Sequence, residues 1–277
     1  MLRDGTVFAT YFTWKVYEKG DAPAALRPGT YHHMMDKWIG VMAGTYTIRS
    51  SDGGKTWDHP VRVELGDVVI RGNCVEMEDG SIIAPLYGQH DGSGGASDVI
   101  VGRTSDRGQK WERLAIVSSD GGQYHFHEPN LYQTPSGKLI LFIRSVRREV
   151  DPGERHLASP LFIAESTDGG RTWTEPKMWP IYSPSPFHLL RLQDGRIVLN
   201  YGYRLVPYGI RAFVLDPECS NLATVEETVL RDDGHGTDIG YTSAVQLADG
   251  RILIVYYYYD GEEDYSRYIA GTLCQAD

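Results

Sequence analysis

The stretch Ser166-Thr-Asp168-Gly-Gly-Arg-Thr-Trp173 decides how the chain is read, because it occurs twice more, as Ser50-Ser-Asp52-Gly-Gly-Lys-Thr-Trp57 and Thr104-Ser-Asp106-Arg-Gly-Gln-Lys-Trp111. Its chemistry is local. The Asp side chain can accept backbone N–H groups of the turn, glycine supplies the left-handed conformation, and the Trp ring buries a large apolar surface at the base. Asp52, Asp106 and Asp168 are therefore expected to fold a turn rather than to act on a substrate.

A second unit interleaves with the first. It reads apolar, x, Asp/Ser-Gly, x, then three or four apolar residues and Tyr or Arg, in LRDGTVFATY, MEDGSIIAPLY, TPSGKLILFIR, LQDGRIVLNY and LADGRILIVY. Its glycines are Gly5, Gly80, Gly137, Gly195 and Gly250, and the last three intervals are 57, 58 and 55 residues. Alternating apolar residues around an Asp-Gly pair are a strong hairpin signal. Two hairpins per repeat make a four-stranded antiparallel sheet, and several such sheets without helical periodicity between them predict an all-β propeller. Five blades are visible, spanning about 1–64, 65–119, 120–178, 179–234 and 235–277, in one domain. Blade 1 starts directly at its turn, and blade 5 ends after about three strands, so both are expected to be incomplete as isolated sheets.

Composition bounds the function. The 277 residues are 41% hydrophobic and 23% charged, as in an ordinary globular protein, and the 18 Tyr and 31 Gly suit strands joined by tight turns. A net charge of -10 with scattered arginines argues against a nucleic-acid partner. The longest apolar run, Ile252 to Tyr259, is far shorter than the roughly 18 residues of a membrane-spanning helix, and no signal peptide is visible at the start, which leaves the compartment open. Cys74, Cys219 and Cys274 form no framework and read as buried thiols. No Walker loop, GxGxxG, HExxH or CxxC occurs, so no cofactor is expected. His125 and His127 lie on one side of a strand but lack a third ligand signature for a metal.

The repeated S/T-x-D-x-G-x-x-W pattern, an Asp-box, resembles that of the sialidase (neuraminidase) superfamily, and the resemblance covers essentially the whole chain. It implies a six-bladed propeller, a retaining exo-glycosidase activity on a terminal carboxylate-bearing sugar, and a Tyr/Glu pair beside an arginine cluster. The family pairs a Glu with an Arg one strand-turn-strand later, as in Glu128 to Arg144 here. Further on it carries an Arg opening a strand and, some 30 residues later, a Tyr-Ser-x-Leu type strand, matched by Arg211-Ala-Phe-Val-Leu and Gly240-Tyr241-Thr-Ser-Ala-Val-Gln-Leu. The implied roles are Tyr241 as nucleophile, Glu128 as its base, and Arg144 and Arg211 as binders of the substrate carboxylate. Arg204, in the same YGYRLVPYGIRAF segment, is the alternative to Arg211.

Those roles also make chemical sense. Two arginines can hold a carboxylate by bidentate, charge-assisted hydrogen bonds. A tyrosine hydroxyl attacks only once a neighbouring carboxylate takes its proton, and a neutral nucleophile avoids repelling an anionic sugar. Each residue has a structural alternative: a core tyrosine, a salt-bridged strand-end glutamate, or arginines that stitch blades together. The family's opening Arg-Ile-Pro strand has no counterpart before Leu2, and its catalytic Asp has no clear match, leaving the loop acids Asp21, Asp36 and Asp98 as substitutes, with Asp36 and Asp98 the possible acid/base. The competing readings are a propeller that binds glycans without cleaving them, and a lyase or hydrolase of acidic polysaccharide that uses another acid/base, such as His127. The acidic stretch Asp232 to Asp238 stands just before Tyr241 and could shape the pocket rim.

Overall fold

The computed structural model describes residues 1–22, 32–34, 36–150, 159–182, 185–259, 261 and 266–276. The strands gather into five antiparallel sheets in chain order. Blade 1 holds β1 (Val7–Glu18), β2 (His32–Met34), β3 (Trp38–Ser50) and β4 (Val61–Arg62), and blade 2 holds β5 (Val68–Ile70), β6 (Val75–Glu76), β7 (Ile82–Gly88), β8 (Asp98–Thr104) and β9 (Glu112–Val117). Blade 3 holds β10 (Tyr124–Gln133), β11 (Leu139–Arg147), β12 (Pro160–Ser166) and β13 (Lys177–Tyr182). Blade 4 holds β14 (Phe187–Arg191), β15 (Ile197–Tyr203), β16 (Tyr208–Leu215) and β17 (Thr228–Gly234), and blade 5 holds β18 (Gly240–Gln246), β19 (Ile252–Tyr258) and β20 (Tyr268–Cys274).

Blades 3 and 4 are simple meanders of four strands. In blade 2 the first position is shared by β5 and β6, both paired with β7. In blade 1, β2 and β4 both pair with β3 on the side away from β1, so that sheet is three strands across, as is blade 5 among the described residues.

Sheet-on-sheet packing explains why the strand sequences look as they do. Apolar clusters lie between successive blades: Val68, Ala84 and Leu86 with Val63 between blades 1 and 2, Val101 with Leu141 between blades 2 and 3, Phe142 with Leu199 between blades 3 and 4, and Ile210 with Ile254 between blades 4 and 5. A strand in a middle blade is covered on both faces, so Leu139 through Ile143 forms an unbroken apolar run with every residue at 0% exposure. The last strand instead alternates. Ala270 and Cys274 turn inward, while Ile269 and Leu273 are exposed together with Val245 and Val255 on the face directed away from blade 4.

The turns place the chemistry at one end. Leu139 beside the Ser136-Gly137 turn pairs with Ser166, where an Asp-box begins, and Arg144 at the other end of β11 pairs with Leu161. The hairpin turns and Asp-boxes thus share one end of each blade, and Arg144 stands at the opposite end. Gly137 has φ 87°, a left-handed turn conformation that a side chain would strain. The third box closes as expected: Asp168 Oδ1 accepts from the backbone N–H of Arg171 and Thr172 at 3.0 and 2.9 Å, and Trp173 Nε1 donates to the Gly170 carbonyl at 3.0 Å, whereas Trp111 Nε1 of the second box is buried without a partner.

Candidate functional site

At the end opposite the turns, the first strand of a blade breaks its regular pairing. Register shifts occur in β10 between His127 and Asn130 and in β18 between Gly240 and Ser243. Glu128 and Tyr241 sit in those bulges with φ of 45° and 49°, left-handed values that bulky residues rarely adopt. Bulges of this kind re-aim a side chain, and such strain gathers where a site over-determines the backbone. Glu128 lies nine residues before Gly137, and Tyr241 nine before Gly250. The same count before Gly80 gives Arg71, at the gap between β5 and β6.

The bulges bring distant residues together. The Tyr241 hydroxyl donates to Glu128 Oε1 at 2.7 Å, and Arg144 Nη1 donates to Glu128 Oε2. Glu128 is 6% exposed. Burial alone would raise its carboxyl, but the charge and hydrogen bond of Arg144, the Tyr241 hydroxyl and the charge of Arg71 outweigh it and hold it below the usual carboxylate range. Burial and the Glu128 charge push the Tyr241 hydroxyl up, so the resting pair is a neutral phenol beside a carboxylate. Arg144 keeps its proton more firmly than a free guanidinium: Glu128 overrides the effect of burial.

Two more guanidinium groups lie on the Tyr241 ring. Arg71 is 4.1 Å from the ring centroid and Arg204 5.5 Å. Arg71 is exposed and has no hydrogen-bond partner among the described residues. Arg204 follows β15 and is anchored by Nε to the Ile239 carbonyl at 2.9 Å and by Nη2 to the Tyr257 hydroxyl at 2.8 Å. Tyr257 in turn donates to Asp238 at 2.6 Å, and Asp238 also pairs with Arg267 at 3.1 Å. The acidic segment before Tyr241 therefore reaches the site through Tyr257.

Arg211 is not at this place, which corrects the expectation that it converges with Arg144. It lies on β16, the third strand of blade 4, opposite Tyr201. Its guanidinium donates to the carbonyls of Arg231 at 2.6 Å and Pro207 at 3.1 Å, stacks 4.7 Å from the Tyr203 ring, and faces Glu227 at 3.6 Å. A third-strand residue is two strands removed from the first strand, whereas Arg204 follows the second strand at the end where Glu128 and Tyr241 meet. The third guanidinium also comes from within the chain, as Arg71. An arginine at the fixed distance before an Asp-Gly turn was the signal for it.

The acid candidates separate. Asp98, at the start of β8 and 2% exposed, pairs with His90 Nε2 at 2.8 Å, and its other oxygen is buried without a partner. It stands across the ladder from Gly88, next to Tyr87 at the mouth end. Asp36 and Asp21 are exposed. His125 and His127 stack at 5.6 Å, but no group of three His, Cys, Asp or Glu side chains that could hold a metal occurs among the described residues.

The family model of the BNR repeat-like domain matches residues 30–254. The chain belongs to the BNR repeat-like domain family. Among solved structures, this BNR repeat-like chain is similar to a protein of unknown function from Dyadobacter fermentans, with 30% identity and a TM-score of 0.81 over 100% of this chain and 74% of that one. It shares its fold with an α-L-arabinofuranosidase of Fusarium graminearum solved with an iminosugar inhibitor (16% identity, TM-score 0.57, 92% of this chain and 84% of that one). It shares it also with the leech intramolecular trans-sialidase in complex with 2,7-anhydro-Neu5Ac (16% identity, TM-score 0.55, 87% of this chain and 38% of that one). No curated protein matches significantly by sequence. The fold is thus that of the sialidase and arabinanase propellers, and this chain spans little more than a third of the leech enzyme.

Proposed function

We propose that this propeller is a sialidase-type exo-glycosidase acting on a terminal carboxylate-bearing sugar. The observation that carries the reading is the Tyr241 hydroxyl bonded to a buried Glu128 inside a cluster of three guanidinium groups. Arg71, Arg144 and Arg204 outnumber the one carboxylate among them, in a chain whose net charge is -10. Like charges gathered at one place repel, so the cluster favours an anionic ligand.

In the reaction, Arg71, Arg144 and Arg204 hold the substrate carboxylate against the Tyr241 ring. Glu128 takes the phenol proton as Tyr241 Oη attacks the anomeric carbon, and the glycosidic carbon–oxygen bond breaks. The leaving oxygen takes up a proton; water then attacks the same carbon and gives one up, the bond between that carbon and Tyr241 Oη breaks, and Glu128 returns its proton to the tyrosine. Of the two candidate acids, Asp98 is the better placed to assist the leaving oxygen. Its free oxygen is closed off and its other oxygen is held by His90, whose second ring nitrogen bonds the Asp91 carbonyl, so the Asp98–His90 contact must open before Asp98 can serve as the acid.

The test is release of a fluorogenic aglycon from an aryl sialoside by the unmutated chain and by Tyr241→Phe. Release that falls by roughly a thousandfold or more in the folded variant, as expected for loss of a nucleophile, supports the assignment. An unchanged rate rejects the nucleophile. Binding without release by either protein favours the glycan-binding reading, and release only from a neutral aryl arabinofuranoside rejects the acidic sugar.

A further inference from the structure

The hydrogen-bonding inventory of the site is unbalanced. Guanidinium groups only donate. Each oxygen of Glu128 already accepts one hydrogen bond, from Tyr241 and from Arg144. The Tyr257 hydroxyl accepts from Arg204 and donates to Asp238. A sugar hydroxyl or amide entering beside the arginines would find donors for its oxygen in excess and few acceptors for its hydrogen, and an unmade bond of that kind is costly in a desolvated pocket.

Two side chains supply what is missing. His127 immediately precedes Glu128 and pairs across the ladder with Arg144, and its ring lies 5.5 Å from that of Tyr87, at the mouth end of β7. Both are partly buried, and neither the imidazole nitrogens of His127 nor the Tyr87 hydroxyl has a hydrogen-bond partner among the described residues. Burial and the Arg144 charge push the imidazole down to about 4, so at neutral pH it offers one donor and one acceptor. Burial and the Glu128 charge keep the Tyr87 phenol protonated. The pair thus lies against the arginine cluster while adding no charge to it.

We infer that Tyr87 and His127 form a neutral subsite that recognises hydroxyl or acylamino groups of an acidic sugar whose carboxylate is held by the arginines. The inference rests on the anion-binding reading above and adds to it: the arginines select the charge, and this pair selects the sugar that carries it. His125, stacked at 5.6 Å and 12° on His127, fixes the imidazole plane, and its Nδ1 accepts from the Ser97 backbone N–H at 3.1 Å. Neither Tyr87 nor His127 touches the reacting atoms in this scheme. They determine specificity.

The experiment compares two probes on the unmutated chain and four variants by calorimetry. N-acetylneuraminate carries the carboxylate together with hydroxyl and acylamino groups, whereas cyclohexanecarboxylate carries the carboxylate alone. Tyr87→Phe and His127→Phe are expected to weaken N-acetylneuraminate about five- to tenfold each, the usual effect of one hydrogen bond, and to leave cyclohexanecarboxylate unchanged. His127→Gln, which keeps a donor and an acceptor, should recover part of the loss. Arg144→Ala should weaken both probes. Equal losses for both probes in the Phe variants, or no loss for either, would overturn the subsite while the Arg144 result still stands. Failure of Arg144→Ala to affect either probe would remove the anion site itself, and the subsite with it. Circular dichroism spectra that match the unmutated chain confirm that each variant is folded.

Discussion

Arg204 and Arg211 show how little a one-dimensional spacing says about where a guanidinium ends up. They lie seven residues apart, and both are nearly buried at 9% and 3% exposure. Arg204 faces the Tyr241 ring, whereas Arg211 spends its donors on backbone carbonyls and Glu227. Their substitutions should therefore differ in their effect on binding. Arg204→Lys keeps the charge but loses the forked anchor to Ile239 and Tyr257, and should raise KM for an acidic substrate while also costing stability, because the buried Ile239 carbonyl loses its partner. Arg211→Gln leaves buried carbonyls unsatisfied and should cost about 1–3 kcal/mol of stability, with KM unchanged in the folded fraction. A chemical-denaturation curve and a KM measurement on both variants check this, and the opposite pattern would return Arg211 to the site.

At the scale of the element, the bulged first strands matter more than any single side chain. Gly72 shows how tightly blade 2 meets blade 3 there. A Cβ on it would lie 1.9 Å from the Pro129 carbonyl oxygen, so the strand behind Arg71 and the bulge behind Glu128 are in backbone contact. No left-handed angle is involved, and the requirement is for close approach alone. Gly72→Ala must push the two strands apart, and because Arg71 and Glu128 flank the contact, it should lower both the melting temperature and kcat/KM. A thermal melt and an activity assay on the same preparation test the coupling. Normal activity in a protein melting as the unmutated chain does would show that the two strands can give way without moving the site.

The whole molecule carries a pH dependence set by buried histidines. Burial pushes His188 down to about 4, and its Nδ1 is buried without a partner. His127 is held down to about 4 by burial and Arg144. In the unfolded chain both return to about 6.5. Below that value the unfolded state binds more protons than the folded one, so stability is complete above about pH 6.5 and falls as the pH drops toward 4. Each shift corresponds to at most about 3 kcal/mol across that window. Glu128, held below its ordinary range, adds a further loss at still lower pH, as the pH falls through its folded value. The unfolding free energy should decline between pH 6.5 and 4, and His188→Phe should flatten that decline. An unaltered slope in the variant would exclude His188 as a source.

The sequence by itself determined the repeat. Asp-Gly turns and Asp-boxes are local chemistry, closed within a few residues by their own side chains, so the five blades, their order and nearly all their boundaries were legible from the chain. Blade 3 runs a little further than its repeat suggested, because β13 extends to Tyr182. The pairing of Glu128 with Tyr241 was also legible, because both occupy the same place in the repeat. What only the tertiary structure decided is which charges meet. Tyr87, His127 and Arg204 come to the site from three blades, and nothing in their local sequence distinguishes them from residues that stitch sheets together. Strand registers, two bulges and the packing of one blade on the next set those positions, and all of these depend on contacts between residues far apart in the chain.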